Sequence, residues 1–551
     1  MKDISMKYGL VYMTFLLISI GLLMKASAQT VSDPRLNVYQ YSVPVGQSKA
    51  YLWVPPSCRD IKAIMIALNN LTERRWLEDP VIRKMAAREG IGIIWVGPAD
   101  KYATGSGSNN LNADMSGNSK GLLLQMLNDF AKVSGYSEIS RAYLIPTGHS
   151  AHGHFSWNVA NALPERTLAV IAIKTIPLPD SFDFQNIPVL YMLGQTTEWP
   201  QYKDGRPGDR DFYPSVVRSA AAALRSNNSN NLIGIVVEPG GGHFDWSEKL
   251  ARFMALFIHK ACNYRLPHIS EGKSGHRNAL RRISPVSGWL LSANAPDSKP
   301  ELAFYKAVKG DKYVADWFFD KETAKSAERL NGDVDTRKKQ MPSVIQGGKV
   351  LNVTKLGYAD ARFIPDPDGV SFHLKPGFLN KVPTELIGAG KPLGNTGGRV
   401  RFSIVSGPAI QTGPQAFRVH FGRGGYDDIW IEESVSGNKE YRHAVQPVKV
   451  TIPKRLTQGE KQEIDFPEIH DQKIDVRSVQ LKAVSSAGLP VQYSVLAGPA
   501  YIKGDHVIFT RIPVKSRYPV KITVRAYQWG RPLSPFVQSA LSVTRSFFIR
   551  K

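Results

Sequence analysis

Cysteine is scarce: the chain of 551 residues has two, Cys58 and Cys262. That excludes a scaffold held by several disulfides, and leaves either one Cys58–Cys262 bridge or two separately buried thiols, neither with a catalytic role. Long apolar runs are also lacking. The one run, residues 10–24, is short for a bilayer span and no second one follows, so no stable membrane span is expected in the mature chain. Acidic residues are outnumbered, 47 Asp and Glu against 70 Lys and Arg, for a net charge of +23. Such an excess attracts acidic partners: uronic-acid polysaccharide, anionic lipid or nucleic acid. The charges are spread without any RNA- or DNA-binding motif, so no nucleic-acid partner is expected.

What is present begins with a leader. Lys2 and Lys7 precede the apolar run, and Ala26-Ser27-Ala28 has the small-x-small form that signal peptidase reads. Residues 1–28 are expected to be a signal peptide, with Gln29 as the mature start and an exported, periplasmic or extracellular product. An uncleaved anchor is the competing reading. No cysteine lies near the cut for lipid attachment.

The length suggests three or four units. Residues 29–265 alternate short apolar runs (50–54, 63–68, 91–96, 142–146, 168–174, 188–193, 232–238) with segments of helical spacing (79–89, 120–133, 151–162, 211–225, 245–260). Continuous apolar strands between helices predict a mainly parallel sheet covered on both faces. Residues 266–346 are charged but carry Trp289, Tyr305, Trp317 and Phe318, which predicts a partly helical extension leaning on the first domain.

Beyond residue 347 the texture becomes short alternating strands with Gly/Pro turns. Phe402-Ser403-Ile404-Val405-Ser406-Gly407-Pro408-Ala409 is echoed by Tyr493-Ser494-Val495-Leu496-Ala497-Gly498-Pro499-Ala500, an offset of 91 residues between Gly407 and Gly498. This spacing suits two β-sandwiches, 347–456 and 457–551. The second resembles bacterial Ig-like domains in Ile464-Asp465-Phe466-Pro467 and Gly488-Leu489-Pro490-Val491. The first, with Tyr426 and Trp430, is open between spacer and carbohydrate binder.

Thr147-Gly148-His149-Ser150-Ala151-His152-Gly153 follows one apolar run directly and precedes a helical segment. Small residues beside a serine at a strand-to-helix junction let the backbone turn sharply and hold the hydroxyl clear of the sheet. His152 stands where a second glycine is usual, and Gly153 comes one residue late. His149, His152 and His154 raise the thought of a metal, but no carboxylate or cysteine accompanies them, and the turn conflicts with chelation. No metal and no cofactor is expected.

With this order of elements, the stretch from Val38 to Tyr264 resembles the α/β-hydrolase superfamily, closest to its secreted bacterial esterases. The resemblance implies a nucleophile–acid–base order along the chain. Ser150 would be the nucleophile. His243, in Glu238-Pro239-Gly240-Gly241-Gly242-His243, would be the base. Glu198 is the first carboxylate past the run 188–193 and would be the acid, with Asp204, Asp209 and Asp211 competing. Oxyanion donors would be the Ala151 N–H and an amide at Asn69 or Asn70. Trp199, Tyr202 and Arg206 would form a rim that takes a sugar-bearing or anionic substrate. The expected partner is a small-molecule or polysaccharide ester, including acidic glycans. The expected function is ester hydrolysis through an acyl-enzyme, with a peptidase of the same fold or a non-catalytic carbohydrate-binding protein as alternatives.

Overall fold

The computed structural model describes residues 33–97, 110–179, 182–195, 212–267, 278–292, 301–331, 337–354, 357–384, 386, 388–422 and 428–551. Eight strands form the first sheet: β1 (Tyr41–Val45), β2 (Ser48–Trp53), β3 (Ala63–Leu68), β4 (Ile91–Val96), β5 (Tyr143–His149), β6 (Val170–Ile173), β7 (Val189–Gly194) and β8 (Ile233–Glu238), in the order β1-β2-β4-β3-β5-β6-β7-β8. The β1–β2 and β2–β4 pairs are antiparallel and the rest parallel. With its flanking helices this is the mainly parallel, covered sheet that the alternation predicted, in the α/β-hydrolase arrangement that the resemblance implied. β1 was not among the predicted strands; Pro44, which has no N–H to give, sits on this edge strand.

The apolar runs are continuous because both faces are covered. In β3, Ala63, Met65 and Ala67 pack toward helices α2 (Pro80–Glu89) and α6 (Glu248–Arg265), while Ile64, Ile66 and Leu68 face α3 (Ser119–Ser134) and α4 (Phe155–Ala162). Short α1 (Glu73–Leu77) follows β3, and α5 (Phe212–Asn227) covers β7 and β8. Helix α2 is bounded by its sequence: Asp79 accepts from the N–H groups of Val81 and Ile82, Pro80 fills the first turn, and Gly90 ends it at φ 71°. Among the described residues no helix is long and apolar enough to cross a membrane. The two cysteines are free thiols.

The extension is more sheet than helix. β9 (Trp289–Ser292), β10 (Glu301–Phe304) and β11 (Asp316–Phe318) pair in the order β10-β9-β11, followed by α7 (Lys321–Asn331). Leu290, Leu291, Trp317, Phe318 and Phe319 join the core around α6, so this segment shares the first domain's interior. Buried Asp316 lies 3.5 Å from Arg218 and 3.9 Å from Arg225 of α5.

The β-rich part starts at β12 (Pro342–Gln346), slightly before residue 347, and β12 pairs with β13 (Lys349–Val350) and β16 (Lys375–Phe378). In the first sandwich β14 (Ala359–Arg362), β21 (Ala444–Thr451), β20 (Asp428–Val435) and β17 (Val400–Ser406) form one sheet. β15 (Ser371–His373), β19 (Ala416–Val419) and β18 (Ala409–Gln411) form the other, and one core joins the two.

The second sandwich repeats the plan. β23 (Gln472–Lys473), β30 (Val543–Arg550), β29 (Val520–Tyr527) and β26 (Gln492–Ala497) face β24 (Ser478–Gln480), β28 (His506–Phe509) and β27 (Ala500–Lys503), with β22 (Ile464–Asp465) and β25 (Val484–Ser485) as an added pair.

Candidate active site

Ser150 follows β5 directly and starts a single 3₁₀ turn before α4, at φ 52°. A non-glycine residue in this left-handed region is strained by about 1–3 kcal/mol, a cost carried only where surroundings enforce it. They do so here. A Cβ on Gly148 would lie 2.2 Å from the His152 carbonyl oxygen, and one on Gly153 2.1 Å from Thr175. The late glycine is therefore required: it lets the turn pack on the end of β6, where Thr175 Oγ1 donates to the Ser150 carbonyl at 2.7 Å.

His243 lies in the loop after β8, and its Nε2 is 2.9 Å from Ser150 Oγ. The two residues, 93 apart in sequence, meet because β5 and β8 end at the same edge of the sheet. Four consecutive carbonyls of this loop are held from beneath. Buried Lys174, itself at φ 46°, donates Nζ to the oxygens of Gly242 and Asp245, the latter at 2.6 Å. His149 Nε2 donates to the His243 carbonyl at 2.8 Å, and Arg75 Nη1 to that of Phe244 at 2.6 Å. Because a carbonyl only accepts, His149 carries its proton on Nε2. Burial, then the neighbouring His243, Lys174 and Arg75, hold its pKa well below the usual histidine range, so the ring is neutral. The helix after the loop is capped by Ser247, which accepts from the Leu250 N–H.

The first sandwich reaches this loop. Phe244 packs on Trp430 with ring centroids 5.4 Å apart, and Trp430 on Tyr358 at 5.0 Å. His443 lies where a Cβ on Gly240 would meet it at 3.0 Å. Arg75 Nη2 is 3.3 Å from Ser403 Oγ, and Arg75 Nη1 3.5 Å from Glu432 Oε1. Trp430 thus serves an interface between domains. Tyr426 lies outside the described residues.

Acidic groups cluster under the loop. Burial and the Asp245 charge push the Glu238 carboxyl up to about 7, and the same two causes push Glu432 up to about 8. Buried Glu73 is raised to about 8 by desolvation, against backbone N–H groups of residues 70–73 that favour its anion.

Of the residues singled out from sequence, Ser150, Ala151 and His243 come together at one end of the sheet. The backbone N–H of Asn69 donates to the Val96 carbonyl at 2.8 Å, and that of Asn70 to Glu73 Oε2 at 2.7 Å. What Asn70 offers the elbow is its side-chain amide, 3.2 Å from the His149 carbonyl. Glu198, Trp199, Tyr202, Asp204, Arg206, Asp209 and Asp211 lie outside the described residues, as does the leader. Gln195, at the start of that segment, donates its N–H to the Glu238 carbonyl at 3.0 Å and accepts from the Gly240 N–H at 3.0 Å, beside the His243 loop.

His152 sits against Leu68 and Asn69, and His154 against the Ala151 backbone, both held below the usual histidine range by burial. Among the described residues no group of three His, Cys, Asp or Glu could hold a metal ion. Lys174, Arg75 and Glu432 were not singled out from sequence. A lysine closing an apolar run, Val170-Ile171-Ala172-Ile173-Lys174, is the one local signal that could have drawn attention.

No protein-family model and no curated protein matches the chain. Among solved structures it is similar to a poly(3-hydroxybutyrate) depolymerase, LpqC, from Bordetella parapertussis (14% identity, TM-score 0.28, 42% of this chain and 93% of that one). It is also similar to Est1E from Butyrivibrio proteoclasticus with ferulic acid bound (15%, 0.28, 40% and 99%) and to an S-formylglutathione hydrolase from Agrobacterium tumefaciens (13%, 0.26, 41% and 99%).

Proposed function

We propose that the protein is an exported serine hydrolase that cleaves carboxylic esters, with acylated or methyl-esterified polysaccharides as its substrate class. The observation that carries this is the strained Ser150, whose Oγ stands 2.9 Å from His243 Nε2. Ser150 Oγ attacks the ester carbonyl carbon while its proton passes to His243 Nε2. The oxyanion takes hydrogen bonds from the Ala151 N–H and the Asn70 side-chain amide, each donor contributing about 2.7–4 kcal/mol at the transition state. Collapse breaks the ester bond, the leaving alcohol takes the proton from His243, and water then releases the acid by the same route. Glu198 is the proposed orienting acid, because Gln195, three residues before it, stands beside the His243 loop. Trp199, Tyr202 and Arg206 form the proposed sugar-binding rim, and the net charge of +23 favours acidic glycans.

The test is labelling by a fluorophosphonate, which should modify the wild type and not Ser150→Ala, followed by turnover on acylated and methyl-esterified glycans. A correctly folded protein that takes no label is not a serine hydrolase, and faster turnover of amides than of esters makes it a peptidase.

A further inference from the structure

The hydrolase reading leaves a buried side chain from another domain unaccounted for. Glu432 lies on β20 of the first sandwich and its side chain is 3% exposed. Its Oε1 reaches Arg75, while its Oε2 has no hydrogen-bond partner among the described residues and is buried. The carboxyl it faces is that of Asp245, two residues past His243. Two carboxylates only accept, so the approach becomes a bond only when one of them is protonated.

The charges around the pair require the same thing. Glu432 meets Asp245 from the loop, Arg75 from α1 and Lys174 from the end of β6, and Ser403 of β17 bonds the same Arg75. Asp245 is also felt by Glu238 at the end of β8, which sees Lys174 and Lys249 and bonds Ser247. Three carboxyls, Glu238, Asp245 and Glu432, thus share buried Lys174 and part-buried Arg75, while Lys249 stands exposed in solvent. One proton restores neutrality in a site where unpaired charge is expensive.

We propose that Glu432 is a positioning residue for His243: its protonated carboxyl donates to the Asp245 carboxylate and so ties the first sandwich to the catalytic loop, and loss of that proton to solvent loosens the loop. The inference rests on the hydrolase reading for its catalytic consequence. It makes the first sandwich part of the active site, with an alkaline limit set by the shared proton. The elevation of Glu432 to about 8 agrees with this geometry.

The experiment follows kcat and KM for a small aryl ester from about pH 5 to about pH 10 in wild type, Glu432→Gln and Glu432→Ala. Glutamine is a permanent donor to Asp245. It should keep kcat within about threefold at neutral pH and remove the alkaline fall, whereas alanine should lower kcat by roughly tenfold or more with little change in KM. A glutamine variant as impaired as alanine, or one that keeps the wild-type alkaline limb, overturns the proposal. So does an alanine variant that matches wild type.

If wild type takes no fluorophosphonate and turns over no ester, the hydrolase reading fails, and hydrogen exchange of residues 240–247 still decides the tie. After correction for intrinsic pH dependence, protection should fall above about pH 8 in wild type and persist in Glu432→Gln. Protection that is equal in both across that range removes the tie. Should Glu432→Ala fail to fold, the wild-type and glutamine profiles suffice.

Discussion

The two sandwiches share a strand plan and differ in what they touch. In the first, Ile404 pairs with Ile431 and Ser406 with Trp430 across a bulge; in the second, Val495 pairs with Val524 and Ala497 with Thr523 across the same bulge. By this register Glu432, opposite Ser403, corresponds to Arg525, opposite Ser494. Glu432 meets Arg75 and the loop that carries His243, whereas Arg525 Nη2 donates to the carbonyls of Phe421 and Gly422 in the first sandwich at 2.7 and 2.6 Å. Each copy therefore turns the same sheet face toward a neighbouring domain. One face carries an acid into a site, and the other carries a base onto loop carbonyls. The shared strand plan sets the docking geometry, and single side chains set what each contact meets.

The largest effects should come from the glycines that end the bulges. Gly407 has φ 102° and a Cβ there would lie 2.2 Å from the Asp428 carbonyl oxygen; Gly498 has φ 117° and a Cβ would lie 2.9 Å from Ile522 Cα. Strain and overpacking add, so Gly407→Ala should cost about 4 kcal/mol and Gly498→Ala about 3 kcal/mol in urea unfolding. Only the first should also lower kcat below the unfolding transition. Equal loss of activity in both variants would put the second sandwich in charge of the site as well.

Next comes the aromatic contact. Trp430→Ala removes the ring between Phe244 and Tyr358 and should cost about 3 kcal/mol with a roughly tenfold fall in kcat. Thr523→Ala at the corresponding position loses a surface hydrogen bond to Ser546 and should stay within about 0.5 kcal/mol. A kcat for Trp430→Ala equal to wild type would reduce the interface to scaffolding.

Titration separates the regions by sign. Around the site Glu73, Glu238 and Glu432 are raised to about 8, 7 and 8 by burial, so the folded state holds protons that the unfolded chain releases near pH 4.5. Their contribution is full below that value and is lost as pH rises through 7 to 8. In the second sandwich Asp471 and Asp505 are lowered, Asp471 first by the Phe548 N–H and Asp505 first by Gln480. Their contribution is present above the ordinary aspartate value and lost as pH falls below it. Segment-resolved hydrogen exchange should show the site region loosening with alkali and the second sandwich with acid. Parallel responses would erase the contrast.

What could be read from sequence follows the range of each interaction. The elbow was readable because its determinants are neighbours: Gly148, Ser150 and Gly153 fix one turn. The repeat was readable because each bulge needs its glycine, Gly407 or Gly498, at the same offset. The three-stranded extension was not, since Leu290, Trp317 and Phe318 gain their partners from α6 and β8. The loop clamp was hidden for the same reason: Lys174 meets Gly242 across 68 residues and Arg75 meets Glu432 across 357. The proposed oxyanion donors show a subtler limit. The position of Asn70 beside the elbow was readable, but its backbone N–H is claimed by Glu73, which only the buried carboxylate reveals.

The smallest effect should come from the second sandwich's ion pair with the first domain. Lys515 Nζ lies 3.0 Å from Glu138, with the lysine side chain 40% exposed, so Lys515→Ala should cost less than about 0.5 kcal/mol and less still at high salt. Docking there also uses other bonds: Gly498 N–H donates to the Tyr39 carbonyl and Arg517 N–H to that of Ser134, both at 3.1 Å, and the Tyr41 and Ser516 hydroxyls are bonded to each other. These bonds lie at Tyr39, before β1, at Tyr41, which starts it, and at Ser134, the end of α3, rather than at the loop after β8 that carries His243. A kcat unchanged in Lys515→Ala at low salt, beside a measurable loss in Glu432→Ala, would show that closeness to the hydrolase sheet is not enough. A contact must bear on residues 240–247 to be felt in turnover, and a fall in kcat for Lys515→Ala would mean that β1 and α3 transmit to that loop.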